Sequence, residues 1–82
     1  MTVIKYPLVT EKTTSLMETS NALQFITDID ATKKQIATEI EDMYGVKVKR
    51  VNTMVAKGKK KAVVSFEEKG AAGELASRLG VF

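Results

Sequence analysis

Two β-rich runs separated by very little sequence constrain the fold of this chain most strongly. Val46 to Ala56 and Ala62 to Phe66 flank the loop Lys57-Gly58-Lys59-Lys60. So short a connection leaves only an antiparallel hairpin, because parallel neighbours need a crossover of about a dozen residues or more. The first run also changes phase. Val46 and Val48 share one parity, whereas Val51, Thr53 and Val55 share the other. A bulge or bend near Lys49-Arg50 reconciles the two halves, since an inserted residue swaps the faces of a strand.

The remaining elements follow from periodicity and punctuation. Val3 to Val9 is short, apolar and interrupted by Pro7, so it forms an edge strand at most. Thr10 offers a side-chain cap to a helix with Glu11 in its first turn and Leu16 and Met17 as a thin apolar stripe, ending near Ser20-Asn21. Leu23 to Ile29 alternates, with Leu23, Phe25, Thr27 and Ile29 on one side, and predicts a half-buried strand. Asp30 is expected to stop that strand and cap a second helix, whose apolar face is Ile36, Ile40, Met43 and Tyr44 and whose end is Gly45. A last helix from about Ala71 carries Ala72, Leu75, Ala76 and Leu79 up to Gly80. The order β-α-β-α-β-β-α predicts an α+β fold, a mostly antiparallel sheet covered by helices. The 82 residues suffice for one domain, and 44% apolar content supports a modest core without disulfides or metal.

Catalysis has little to work with. The chain holds no cysteine and no histidine, which removes thiolate nucleophiles, zinc clusters and the usual neutral-pH general base. It has no glycine-rich phosphate loop and no serine in a nucleophile elbow. Glu39, Glu41 and Asp42 cluster in sequence, but neighbours on a helix diverge, and they read as a solvated face rather than a metal site. No catalytic residue, metal or cofactor is expected. No apolar run reaches the length of a signal peptide or membrane span, so a soluble cytoplasmic protein is expected.

Charge placement is more informative than net charge. Residues 1–46 hold four basic and seven acidic side chains, and residues 47–82 hold nine basic and three acidic ones. From Lys47 to Lys61 there are seven cations (Lys47, Lys49, Arg50, Lys57, Lys59, Lys60, Lys61) and no anion. Such a stretch is either a polyanion-binding face or a solvated lysine-rich hairpin. Lys33 and Lys34 open the second helix and Glu41 and Asp42 close it. Both placements oppose the helix dipole, whereas lysines added to an anion-attracting N-terminus suit phosphate. Asn52, opposite in parity to Val51 and Thr53, can both donate to and accept from a base or ribose. Phe25 and Phe66 share faces with branched aliphatics and read as core. Tyr6, ahead of Pro7, is free to contact RNA.

Four segments then align with a family in order and spacing. They are Pro7-Leu8-Val9-Thr10-Glu11-Lys12, Phe25 through Lys33, Val51-Asn52-Thr53 and Lys60-Lys61-Ala62-Val63-Val64. Together they resemble the universal large-subunit ribosomal proteins of the L-twenty-three family, which rim the peptide exit tunnel. The closing Ala76-Ser77-Arg78-Leu79-Gly80-Val81-Phe82 is similar to the archaeal branch. The resemblance covers essentially residues 1–82 and implies a single rRNA-binding domain, with large-subunit rRNA and neighbouring ribosomal proteins as partners. It further implies that Lys12, Lys33, Val51-Asn52-Thr53 and the hairpin lysines lie near rRNA. Val9, Thr10 and Glu11 would belong to a docking region for nascent-chain factors, in an archaeal setting the signal recognition particle. Bacterial members extend the hairpin loop into the tunnel wall. The loop here is too short for that, which leaves a role at the rim. A protein–protein docking platform with incidental RNA contacts is the competing reading.

Overall fold

A computed structural model describes residues 3–8 and 11–79, with the side chains of residues 11–14 left undescribed. The elements run β1 (Ile4–Pro7), α1 (Glu11–Ser20), β2 (Ala22–Thr27), α2 (Lys33–Tyr44), β3 (Val48–Ala56), β4 (Lys59–Phe66) and α3 (Ala71–Leu79). The order and α+β class match the expectation. The strands form one sheet in the order β1-β2-β4-β3, and all three pairings are antiparallel. β1, the strand with Pro7, lies at an edge as a residue without an N–H requires.

The hairpin turn is tighter than the sequence suggested. Ala56 pairs with Lys59, leaving Lys57 and Gly58 alone in the turn. Both take positive φ, 53° and 74°, the pair of left-handed residues that a type I′ turn demands. Lys59, Lys60 and Lys61 therefore belong to β4 and not to a loop. The phase change in β3 is a bulge at the expected place. Val48 pairs with Phe66 and Arg50 with Ser65, so Lys49 is the extra residue. Beyond it, Val51 and Thr53 face the side of Val64 and Ala62, and Asn52 faces the side of Val63.

One side of the sheet carries the main core. Leu23, Phe25, Val51, Ala62, Val64 and Phe66 pack there with Ile36 and Ile40 of α2 and with Ala72, Leu75 and Ala76 of α3. Burying each of the larger aliphatics is worth about 1.5–3 kcal/mol. β2 differs from expectation in being buried on both sides along its whole length. Ala22, Gln24 and Ile26 alternate with the core residues, and α1 packs against β2. That helix covers the β2 half of the second face, while Arg50 and Asn52 on β3 stay exposed. β2 also ends at Thr27, and Ile29 is 47% exposed instead of continuing the inward face.

α2 corrects three further expectations. Its cap is Thr32, not Asp30. The Thr32 hydroxyl accepts from the Gln35 N–H at 3.1 Å and the Gln35 side chain accepts from the Thr32 N–H at 3.0 Å, a reciprocal capping box. Met43 leaves the apolar face and is half exposed. Glu39 and Glu41 are more than a solvated face. Glu39 accepts from the backbone N–H groups of Val3 (3.0 Å) and Ile4 (2.7 Å), and Glu41 accepts from the Val48 N–H at 3.0 Å. The two carboxylates tether the starts of β1 and β3 to α2. Gly45 ends the helix at φ 68°, as anticipated.

Candidate nucleic-acid interface

The cations anticipated from the sequence separate into two surfaces. The first lies at the hairpin end. Lys60 projects toward the core side of the sheet, opposite Thr27 and Val55, and its ammonium donates to the Ala31 carbonyl at 2.7 Å. This bond ties the hairpin to the turn that leads into α2, so Lys33 and Lys34 in the first turn of α2 stand beside it. Lys57 is exposed in the turn, and Lys59, exposed at the start of β4, shares the parity of Lys61 and Val63 and so faces the side of the sheet opposite to Lys60. Lys60 also serves the fold, because its ammonium donates to a backbone acceptor.

The second surface lies on the half of the sheet that α1 leaves open. There a groove of about 860 Å³ runs between the end of α1 and β3. Lys49, Arg50 and Asn52 line it from β3, and Val63 and Ser65 from β4. Regular alternation would send Lys49 and Arg50 to opposite faces. The bulge at Lys49 lets both line the same groove. Sequence reasoning missed Ser65, Lys69, Glu18 and Glu67, which also line it. Ser65 was legible from its shared parity with Val63, but nothing local marked Lys69.

Asn21 closes the end of this groove. Its side-chain nitrogen donates to the Phe66 carbonyl at 3.2 Å and the Glu68 carbonyl at 2.7 Å, and its oxygen accepts from the Ala72 N–H at 3.0 Å. One residue, at φ 50°, thereby joins the ends of α1 and β4 to the start of α3. Asparagine tolerates the left-handed region better than most side chains.

The other expected residues fall outside the groove. Tyr6 is 44% exposed and lies in a cross-strand row on the open side, Tyr6–Ile26–Lys61–Met54. Thr53 faces the core side, opposite to Asn52, and is half-buried. Lys47 is exposed just ahead of β3, and its carbonyl accepts from the Glu67 N–H. Val9 and Thr10 lie outside the described residues, as do the side chains of Glu11 and Lys12, so the proposed cap at Thr10 and the docking segment have no described geometry.

Glu18 and Glu67 share the groove with Lys49, Arg50 and Lys69, without an ion pair among these groups. Among the described residues, the ion pair found is Lys5–Asp28 at 3.8 Å, which is exposed and takes no part in the groove lining. Among the described residues no cluster of His, Cys, Asp or Glu is arranged to hold a metal ion. Among the described residues, the displaced titration belongs to a structural group. Burial, helped by the charge of Glu39 and opposed by Arg78, pushes the Tyr44 phenol above its ordinary value.

An α+β scaffold that gathers unpaired cations and polar side chains on its surface, without a catalytic constellation, defines a basic binding module. Comparison with known proteins names the family. The model described as Ribosomal protein L23 matches residues 2–74. A "Large ribosomal subunit protein uL23" from Methanococcoides burtonii is 48% identical over 82 residues, covering 99% of each chain. The protein of the same name from Picrophilus torridus is 44% identical over 82 residues with both chains fully covered. That from Haloquadratum walsbyi is 46% identical over 81 residues, covering 98% of this chain and 96% of its own. The chain belongs to the ribosomal protein L23 family. It is a ribosomal protein and not an enzyme, and no described helix is long and apolar enough to cross a membrane.

Proposed function

We propose that this chain acts as one rRNA-binding domain over residues 1–82, a structural constituent of the large ribosomal subunit in the cytoplasm. It binds large-subunit rRNA near the polypeptide exit tunnel, beside other large-subunit proteins. The observation that carries this reading is the pairing of two separate lysine groups. The bond from Lys60 to Ala31 ties the lysine hairpin to the segment that leads into α2, whose first turn carries Lys33 and Lys34, so a basic hairpin and an anion-attracting helix N-terminus are held at one end of the molecule, available to phosphate. Lys12, Lys47, Lys61, Tyr6 and Thr53 complete the proposed contacts. The two-residue turn supports a place at the tunnel rim, since nothing in it extends away from the sheet.

The segment Val9, Thr10 and Glu11 is proposed as part of the docking site for nascent-chain factors such as the signal recognition particle, on the strength of the family resemblance. The competing docking-platform reading draws support from Ile29, Met54 and Val55, which are exposed apolar residues. Binding of the purified protein to a large-subunit rRNA fragment across a salt series separates the two. Contacts through lysines give a slope in log K against log salt of about −0.7 to −0.9 per phosphate, together with preference over unrelated RNA. A shallow slope with no preference overturns the rRNA reading and leaves the apolar surface as the functional one.

A further inference from the structure

We infer that the groove between α1 and β3 is a pocket for a single unpaired nucleotide of the bound RNA, an inference that rests on the rRNA-binding reading above. Its size sets the first limit. At about 860 Å³ it falls in the range of small-ligand sites, roughly 300–1,000 Å³, which suits one nucleotide and not a turn of duplex. A duplex meets proteins through phosphates and a shallow minor groove, whereas sequence is read on splayed, unpaired bases.

The lining supplies a place for each part of a nucleotide. Leu16, Met17 and Val63 give apolar surface for a base. Asn52 and Ser65 offer donors and acceptors to its edge. The bulge at Lys49 places two adjacent cations, Lys49 and Arg50, on one wall, where one serves the phosphate and the Arg50 guanidinium presents a plane for stacking. Lys69 adds a cation from the segment ahead of α3. Glu18 and Glu67 also line the groove. They suit exocyclic amines as acceptors and argue against a continuous phosphate track through it. None of these charged groups is engaged in an ion pair among the described residues.

The pocket is also held in shape independently of RNA. Asn21 fixes its closed end through three hydrogen bonds, and β4 forms its floor at the centre of the sheet.

The test combines protein and RNA substitutions. Wild-type protein, Asn52→Ala and Arg50→Lys are titrated against a large-subunit rRNA fragment in which each unpaired nucleotide is replaced in turn by an abasic residue. One position should lower wild-type affinity by about ten-fold, the scale of a good base contact. The same abasic change should then have little further effect in Asn52→Ala. Arg50→Lys, which keeps the charge and removes the stacking plane, should behave as Asn52→Ala does at that position. If every abasic change adds independently to Asn52→Ala, the nucleotide pocket is wrong even while steep, selective rRNA binding persists. If the wild-type protein shows no rRNA preference at all, the functional reading beneath it falls as well.

Discussion

Reversing Lys33 and Lys34 together should move stability and RNA binding in opposite directions. The two residues are the first two of α2, and the first turn of that helix contains no acid. A cation there opposes the dipole by about 0.3–1 kcal/mol when exposed, and an anion gains a similar amount. Taking the low end for solvated side chains, Lys33→Glu with Lys34→Glu should stabilise the free protein by about 1 kcal/mol. In a domain of this size that corresponds to roughly 4–8 °C in thermal midpoint. No compensating pair is lost, because the positions one turn on are Ala37 and Thr38 and, among the described residues, neither lysine has a carboxylate within 4 Å. The same variant should bind rRNA more weakly, with a salt slope shallower by about 0.7–0.9 for each phosphate contact removed. Thermal unfolding by circular dichroism at low salt, read beside RNA titrations at several salt concentrations, checks both arms. A lower midpoint would refute the dipole argument. A higher midpoint with an unchanged RNA slope would show that the lysines face solvent only.

Three further outcomes follow from particular residues. Asn21→Ala should cost about 2–3 kcal/mol in urea unfolding, since three hydrogen bonds are lost at a net of roughly 0.5–1.5 kcal/mol each. Asn21→Gly should cost less, because glycine accepts the positive φ without penalty. Lys57→Asn should stabilise the hairpin by a few tenths of a kcal/mol in the same assay, asparagine before glycine being the favoured type I′ pair. For Tyr44, burial raises the phenol pKa, so above about pH 10 the folded state holds more protons than the unfolded state. Stability is therefore complete below that pH and declines as pH rises through the raised value. Tyr44→Phe should lack that alkaline component when denaturation midpoints are compared across pH.

Much of the fold was legible because local signals agreed with one another. The short hairpin connection, the parity change at Lys49, the glycine after Tyr44 and the proline in β1 each have a single inexpensive structural solution, and each appears in the structure. Where the reading erred, a tertiary partner decided. The alternation of Leu23 to Ile29 implied one wet face, but the packing of α1 against β2 buries Gln24 and Ile26 as well. Asp30 and Thr32 are both plausible caps by residue type. The glutamine three residues after Thr32 selects between them through the capping box. Glu39 and Glu41 looked solvated because the β-strand amides they accept from are distant in sequence or lie beyond a turn.

The basic surface shows why charge counting locates a site only in part. The run from Lys47 to Lys61 contains seven cations, and the fold assigns them different tasks. Lys60 turns inward and fastens the hairpin to the α2 entry. Lys49 and Arg50 face a groove on the other side of the sheet. A strand without a bulge would separate those two, leaving one cation in the groove and one against α2. Deleting Lys49 should therefore be more damaging to RNA recognition than replacing it with glutamine. Deletion restores regular pairing, with Val48 still opposite Phe66 and Arg50 still opposite Ser65, and so removes the bend and twist of the bulge together with the charge, whereas glutamine retains the extra residue and loses one charge. If the two variants bound rRNA equally, Lys49 would matter for its ammonium and not for the geometry its extra backbone residue imposes.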